Sequence, residues 1–164
     1  MAWENTYLDI VKSGITPPHE ANTSRYVHEV LCKCLNWKME HITPQISRRG
    51  YIDYCLDFKT PPTRVVIEVK SFGSRLKDEH IRRYLIRPGP QSRDIVVGAL
   101  TNLEQWHIYV AGKRVRQASG QRLLKVKTIE IRHQKDITHL SQLIGWRGNG
   151  FLKALRASLG ESPA

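Results

Sequence analysis

Apolar residues recur along this chain with two periods, and the switches between them predict the order of its elements. From Glu20 to Trp37, Tyr26, Val27, Val30, Leu31, Cys34 and Leu35 return at three- and four-residue intervals. That spacing predicts an amphipathic helix, capped at its start by Asn22 or Thr23. Three β-like runs follow, at about 39–46, 51–58 and 65–69, separated by Arg48-Arg49-Gly50 and by Thr60-Pro61-Pro62-Thr63. The run Val65-Val66-Ile67 is apolar at every position, so it belongs in the centre of a sheet covered on both faces. Lys77 to Leu85 has helical composition and stops before Arg87-Pro88-Gly89-Pro90, while 94–100 and 105–110 read as further strands. A strand at 123–131, a helix from Asp136 to Ile144 and a short helix reaching Leu159 complete the pattern.

Helix, three strands, helix and two strands make an α/β fold, a central mixed β-sheet flanked by helices. Residues 1–18 form an N-terminal arm, helical over its first dozen residues and closed by Thr16-Pro17-Pro18. Residues 19–135 hold the core domain, and 136–164 form a C-terminal helical extension packed on it. At 164 residues the chain can bury a core without a disulfide or structural metal, and it has no room for a second full domain.

Charge narrows the choice of partners. Lys and Arg number 26 against 15 Asp and Glu, a net +11, which points to a polyanion. Cys32, Cys34 and Cys55 are an odd set without a CxxC pair, so they read as small apolar groups in a reducing cytoplasm. Glu4 and Asp9 stand where a secretory leader would need a basic start and an apolar run, and no aliphatic stretch is long enough to span a membrane.

The chemistry lies in Glu68-Val69-Lys70. Alternation along a strand sends residues 68 and 70 to one face, so an acid and a lysine project together from the end of a central strand. Buried charges there need an opposite charge or a metal, because desolvation otherwise costs several kcal/mol. The preceding strand carries Asp53 and Asp57, and a hairpin between the two strands brings one of them beside Glu68. Two hard oxygen ligands beside a lysine suit Mg2+-assisted cleavage of a phosphodiester. With Asp53 and Glu68 as ligands of Mg2+ or Mn2+, the main-chain carbonyl of Val69 is a natural third, and Lys70 orients the attacking water or neutralises developing charge.

Several blocks in order carry a resemblance. Glu20-Ala21-Asn22-Thr23-Ser24-Arg25 with Leu35-Asn36-Trp37, then Arg49-Gly50-Tyr51-Ile52-Asp53-Tyr54, then Val66-Ile67-Glu68-Val69-Lys70, and Leu100-Thr101-Asn102 through Trp106-His107-Ile108-Tyr109, span about 20–110. Together they resemble the N-terminal nuclease domain of the restriction subunit of type I restriction enzymes, within the PD-(D/E)xK superfamily. The resemblance implies a restriction-endonuclease-like core, Mg2+-dependent DNA cleavage, and a catalytic site of Glu20, Asp53, Glu68 and Lys70. Glu20 enters as an outer metal ligand. Its rival Glu29 lies two and a half turns further along the helix, facing nearly the opposite side. Asp57 is left as an exposed charge.

Two positions depart from the family pattern. His80 and Tyr84 occupy the span where the family has Gln-x-x-x-Tyr, and histidine can still donate a hydrogen bond to phosphate. Leu103 stands where a glycine usually follows Thr-Asn, which predicts only a changed turn. No phosphate-cradling GxxxxGK[ST] loop is present, so this chain carries no motor domain. From Lys113 to Lys135 eight basic residues face the single acid Glu130. Lys113, Arg114, Arg116, Lys125 and Lys127 are the expected phosphate contacts, joined by His80, Arg83, Tyr84 and Arg87. Trp146, beside Leu143 and Ile144, reads as core rather than as a base-stacking platform. A homodimer is an expectation, since cutting both strands takes two sites or two visits. The rival readings are a catalytically silent DNA-binding module of the same fold and an RNA-directed nuclease.

Overall fold

The computed structural model describes residues 2–46, 52–58, 63–85, 96–111 and 123–146. Among them, helix α1 (Ala2–Ser13) and helix α2 (Glu20–Lys33) precede strands β1 (Ile42–Ile46), β2 (Ile52–Phe58) and β3 (Thr63–Val69). Helix α3 (Glu79–Leu85) leads to β4 (Val96–Thr101), β5 (Gln105–Ala111), β6 (Leu123–Glu130) and helix α4 (Gln134–Ile144). The expected short helix towards Leu159 lies outside the described residues.

The six strands form one sheet in sequence order, β1-β2-β3-β4-β5-β6. Among the described strands only β3 and β4, joined through α3, run parallel; the other neighbours are antiparallel. A parallel pair needs a crossover, and α3 supplies it. The protein is therefore an α/β fold with a mixed sheet and helices on both faces, and β3 lies inside it as its unbroken apolar run requires. Pro44 is accommodated because β1 is an edge strand, where a missing N–H costs little.

Alternation along β3 divides the interior in two. Val65, Ile67 and Val69 join the larger core beneath α1, α2 and α4, with Leu31, Trp106 and Ile108. Val66 faces the other way and packs with Leu76, Ile81, Leu85, Leu100 and Tyr109 under α3. Gly98 in β4 lets α3 settle there: a Cβ at this position would lie 2.5 Å from a Leu85 methyl and 3.0 Å from an Ile81 methyl.

Local details differ from the sequence reading in three places. His19, not Asn22 or Thr23, caps α2, its Nδ1 accepting the Asn22 N–H at 3.2 Å. The helix ends at Lys33 rather than Trp37, because Asn36 adopts a left-handed φ of 59° and turns the chain. Met39–His41 is one tight helical turn closed by His41 N–H to the Lys38 carbonyl, so the strand starts only at Ile42. The arm is also part of the core: Tyr7 of α1 is fully buried, and its hydroxyl bridges the Leu103 carbonyl and the Trp106 indole N–H. Trp146 packs against the larger core, stacked on His41 and edge-on to Trp37. Cys32, Cys34 and Cys55 are reduced thiols, not joined in disulfides. Among the described residues no helix is long and apolar enough to cross a membrane.

Candidate active site at the ends of β2 and β3

The β2–β3 ladder ends with Tyr54 opposite Ile67, and continuing its alternation sets Asp53 and Glu68 directly beyond that pair. Both side chains therefore share the face that carries Val66, at the strand end from which Lys70 emerges. Glu68 is only 3% exposed, and its Oε1 accepts from the Lys70 ammonium at 2.9 Å. Lys70 also reaches Glu20, at the start of α2, at 3.6 Å. Asp53 Oδ2 accepts the Val69 N–H at 2.7 Å, which ties its carboxylate to the main chain between Glu68 and Lys70. The four residues Glu20, Asp53, Glu68 and Lys70 thus meet at one end of the sheet. Glu29 is engaged elsewhere, paired with Lys33 on the exposed side of α2 at 3.0 Å.

The electrostatics follow from this crowding. Burial pushes the Glu68 carboxyl up to about 7, against the pull of Lys70, and the neighbouring charges of Asp53 and Glu20 push the same way. Burial also raises Asp53, opposed by the Val69 N–H and assisted by Glu20. Burial alone would lower the Lys70 ammonium, yet the carboxylates of Glu68, Glu20 and Asp53 outweigh it and hold the group above its ordinary range. Three acids around one lysine leave an excess of negative charge that a cation would relieve.

Among the described residues no group of three His, Cys, Asp or Glu stands arranged as a ready metal cage. The donor chemistry nevertheless fits a hard cation. Among the described residues, Glu68 Oε2 is buried without a hydrogen-bond partner, a carboxylate oxygen withdrawn from water. With Asp53 just beyond the end of the β2–β3 ladder, it offers the kind of oxygen ligands that Mg2+ or Mn2+ prefers.

The segment after Lys70 is tied down on two sides. Lys70 N–H donates to the Thr101 carbonyl at 2.8 Å. Ser71 to Ser74 then forms a tight turn, closed by the Ser74 N–H to the Ser71 carbonyl at 3.0 Å, with Gly73 at φ 74° where such a turn demands glycine. Phe72 N–H donates to Thr23 Oγ1 at 2.9 Å, and Asn102 Nδ2 donates to the Ser74 carbonyl at 2.7 Å. Sequence reasoning passed over Thr23 and Asn102 as support for the site. The available signal was two polar residues inside otherwise matched blocks, Asn102 with no assigned task and Thr23 read only as a candidate helix cap.

His80 lies in the first turn of α3, its Nδ1 accepting the Lys77 N–H at 3.4 Å. Burial lowers its pKa, and the charges of Lys70 and Lys77 act in the same direction. Lys125 is not a free cation: it pairs with Asp78 at 3.6 Å and lies 6.0 Å from the Tyr109 ring centre. Asp78 also accepts a short hydrogen bond from the Tyr109 hydroxyl, which together with Lys125 holds its carboxyl low. A register shift between Ile108 and Tyr109 sets Lys125 opposite Tyr109 and exposed Lys127 opposite Ile108, so the two lysines do not form one row. Arg87, Lys113, Arg114 and Arg116 lie outside the described residues, as do the side chains of Asp57, Arg83 and Tyr84. Comparison of the chain with protein-family models, with curated proteins and with solved structures finds no match.

Proposed function

We propose that the protein is a divalent-metal-dependent DNA nuclease with a restriction-endonuclease-like core, of the PD-(D/E)xK type. The observation that supports this reading is the meeting of Asp53, Glu68 and Lys70 at one sheet end, with a Glu68 oxygen buried and without a hydrogen-bond partner among the described residues. A purely structural ion pair gives no reason to gather further acids around it, because each added carboxylate raises the cost of keeping the others charged.

Asp53 and Glu68 would hold Mg2+, or Mn2+ in its place, with the Val69 main-chain carbonyl as a further ligand and Glu20 in the outer shell. The ion would supply positive charge at the phosphate and make a bound water more acidic. Lys70 orients the attacking water and neutralises charge gathering on the phosphate oxygens as the P–O bond to the leaving strand breaks. His80, at the edge of the same cluster, donates to a phosphate oxygen. The net charge of +11 supplies affinity for the backbone without regard to sequence. The work is proposed to take place in the cytoplasm, on DNA, with a homodimer as the form that cuts both strands.

The test is a cleavage panel of circular, linear, single-stranded and branched DNA beside matched RNA, each with Mg2+, with Mn2+ and with EDTA. The expected result is cleavage of DNA with either ion and none in EDTA. Cleavage that persists in EDTA would overturn the metal-dependent reading, and cleavage confined to RNA would overturn the substrate.

A further inference from the structure

Asn102 is only 3% exposed and sits in the β4–β5 turn, beside the turn that follows Lys70. Its two polar atoms do separate work. Oδ1 accepts the Gln105 N–H at 2.9 Å and so shapes its own turn. Nδ2 donates across 28 residues to the Ser74 carbonyl at 2.7 Å. The preceding residue, Thr101, gives its carbonyl to the Lys70 N–H at 2.8 Å, while its hydroxyl donates to the Gln105 carbonyl and accepts the Leu103 N–H. Lys70 stands one residue beyond the last residue of β3, where ladder pairing with β4 ends at Val69 and Thr101. The Lys70 N–H to Thr101 carbonyl bond is the last of this ladder, and from Ser71 onward turn and side-chain hydrogen bonds hold the backbone instead.

We infer that Asn102 is a positioning residue for the catalytic lysine. By clamping Ser74 it closes the far end of the turn that begins at Ser71, so that the Lys70 main chain keeps its bond to Thr101 and its ammonium stays beside Glu68. Thr23 secures the middle of the same turn through Phe72, from the opposite side. A long, flexible lysine chain can orient water only if its root is fixed, because catalytic groups lose efficiency steeply with displacement. A buried amide that uses one end on its own turn and the other on the Lys70 turn provides that fixed root. This inference rests on the nuclease reading.

Two substitutions isolate the clamp. Asn102→Asp keeps the acceptor for Gln105 and loses the donor to Ser74; Asn102→Ser keeps a short acceptor that cannot reach Ser74. Each variant is compared with wild type on a DNA that wild type cleaves with Mg2+, and backbone hydrogen exchange is followed in the metal-free protein. The expected result is a kcat lower by about tenfold to a hundredfold, with KM within about twofold because phosphate binding is untouched. Exchange at the Lys70 and Phe72 amides should accelerate while the β5 amides stay protected. Wild-type kcat in both variants, a loss expressed in KM, unchanged exchange at Lys70, or loss of protection throughout the sheet would each overturn the inference. Wild-type protein that cleaves no DNA, with Lys70 still loosened in the variants, would instead overturn the nuclease reading and leave the clamp standing.

Discussion

Glu68 is the residue on which the most physical consequences converge. Its carboxyl holds a proton more tightly in the folded chain, up to about 7, than it would in an unfolded one. The native state therefore binds more protons than the unfolded state between the ordinary glutamate range and about 7, and stability falls as pH rises through that window. In metal-free protein, Glu68→Gln should raise the stability at pH 8 relative to that at pH 5, by on the order of 1–3 kcal/mol. Urea unfolding at the two pH values checks it; equal effects at both would show that Glu68 does not carry the pH dependence. Lys125 and Lys127 make a second contrast at this scale. Lys127→Ala should reduce the salt slope of DNA binding by about one, whereas Lys125→Ala should first unsettle the Asp78 and Tyr109 contacts and lower the melting temperature. The Glu68 and Lys70 pair was legible because a period of two leaves no choice of face. The fate of Lys125 was not, because a register shift is invisible in composition.

At the scale of elements, Tyr7 and Gly98 each bear on how a helix, α1 or α3, is seated. Tyr7→Phe removes one hydroxyl but leaves both the Leu103 carbonyl and the Trp106 indole N–H without their partner, so it should cost about 1–3 kcal/mol. Chemical denaturation of the intact chain measures it, and a change near zero would mean that α1 is held by apolar contact alone. Gly98→Val should drive side chains into Leu85 and Ile81 and cost about 1–3 kcal/mol. Adding Leu85→Ala should recover part of that loss, since the room it opens lies at the point of closest approach. Most elements were legible from periodicity, including β3 in the interior, whose five consecutive buried residues from Val65 to Val69 leave no solvent face. The seating of α1 was hidden, because a tyrosine in an amphipathic segment does not announce a partner nearly a hundred residues away. The end of α2 was missed for a local reason: Asn36 tolerates the left-handed conformation that stops a helix, and the apolar spacing through Trp37 masked it.

For the whole molecule, a net excess of 11 positive charges goes with a local cluster of three acids, Glu20, Asp53 and Glu68. On the proposed nuclease reading, the net charge would draw a polyanion and a bound cation would reconcile its phosphate with the carboxylates. DNA affinity should accordingly fall at least about tenfold between 50 and 200 mM salt, and a salt-insensitive affinity would remove the basic surface from consideration. The mixed sheet explains why chain-distant residues meet: β2 and β3 bring Asp53 to Glu68, α2 brings Glu20, and the β4–β5 turn steadies Lys70 from behind. The overall α/β order could be read from the sequence, while the contacts between α2, the β4–β5 turn and the Lys70 turn required the three-dimensional structure. The most direct measurement pairs cleavage with binding on the same samples. Asp53→Ala, Glu68→Ala and Lys70→Ala should each lower Mg2+-dependent DNA cleavage about a hundredfold or more, with DNA affinity kept within a few-fold. Undiminished cleavage by any one of the three would contradict the assignment of catalysis to this cluster.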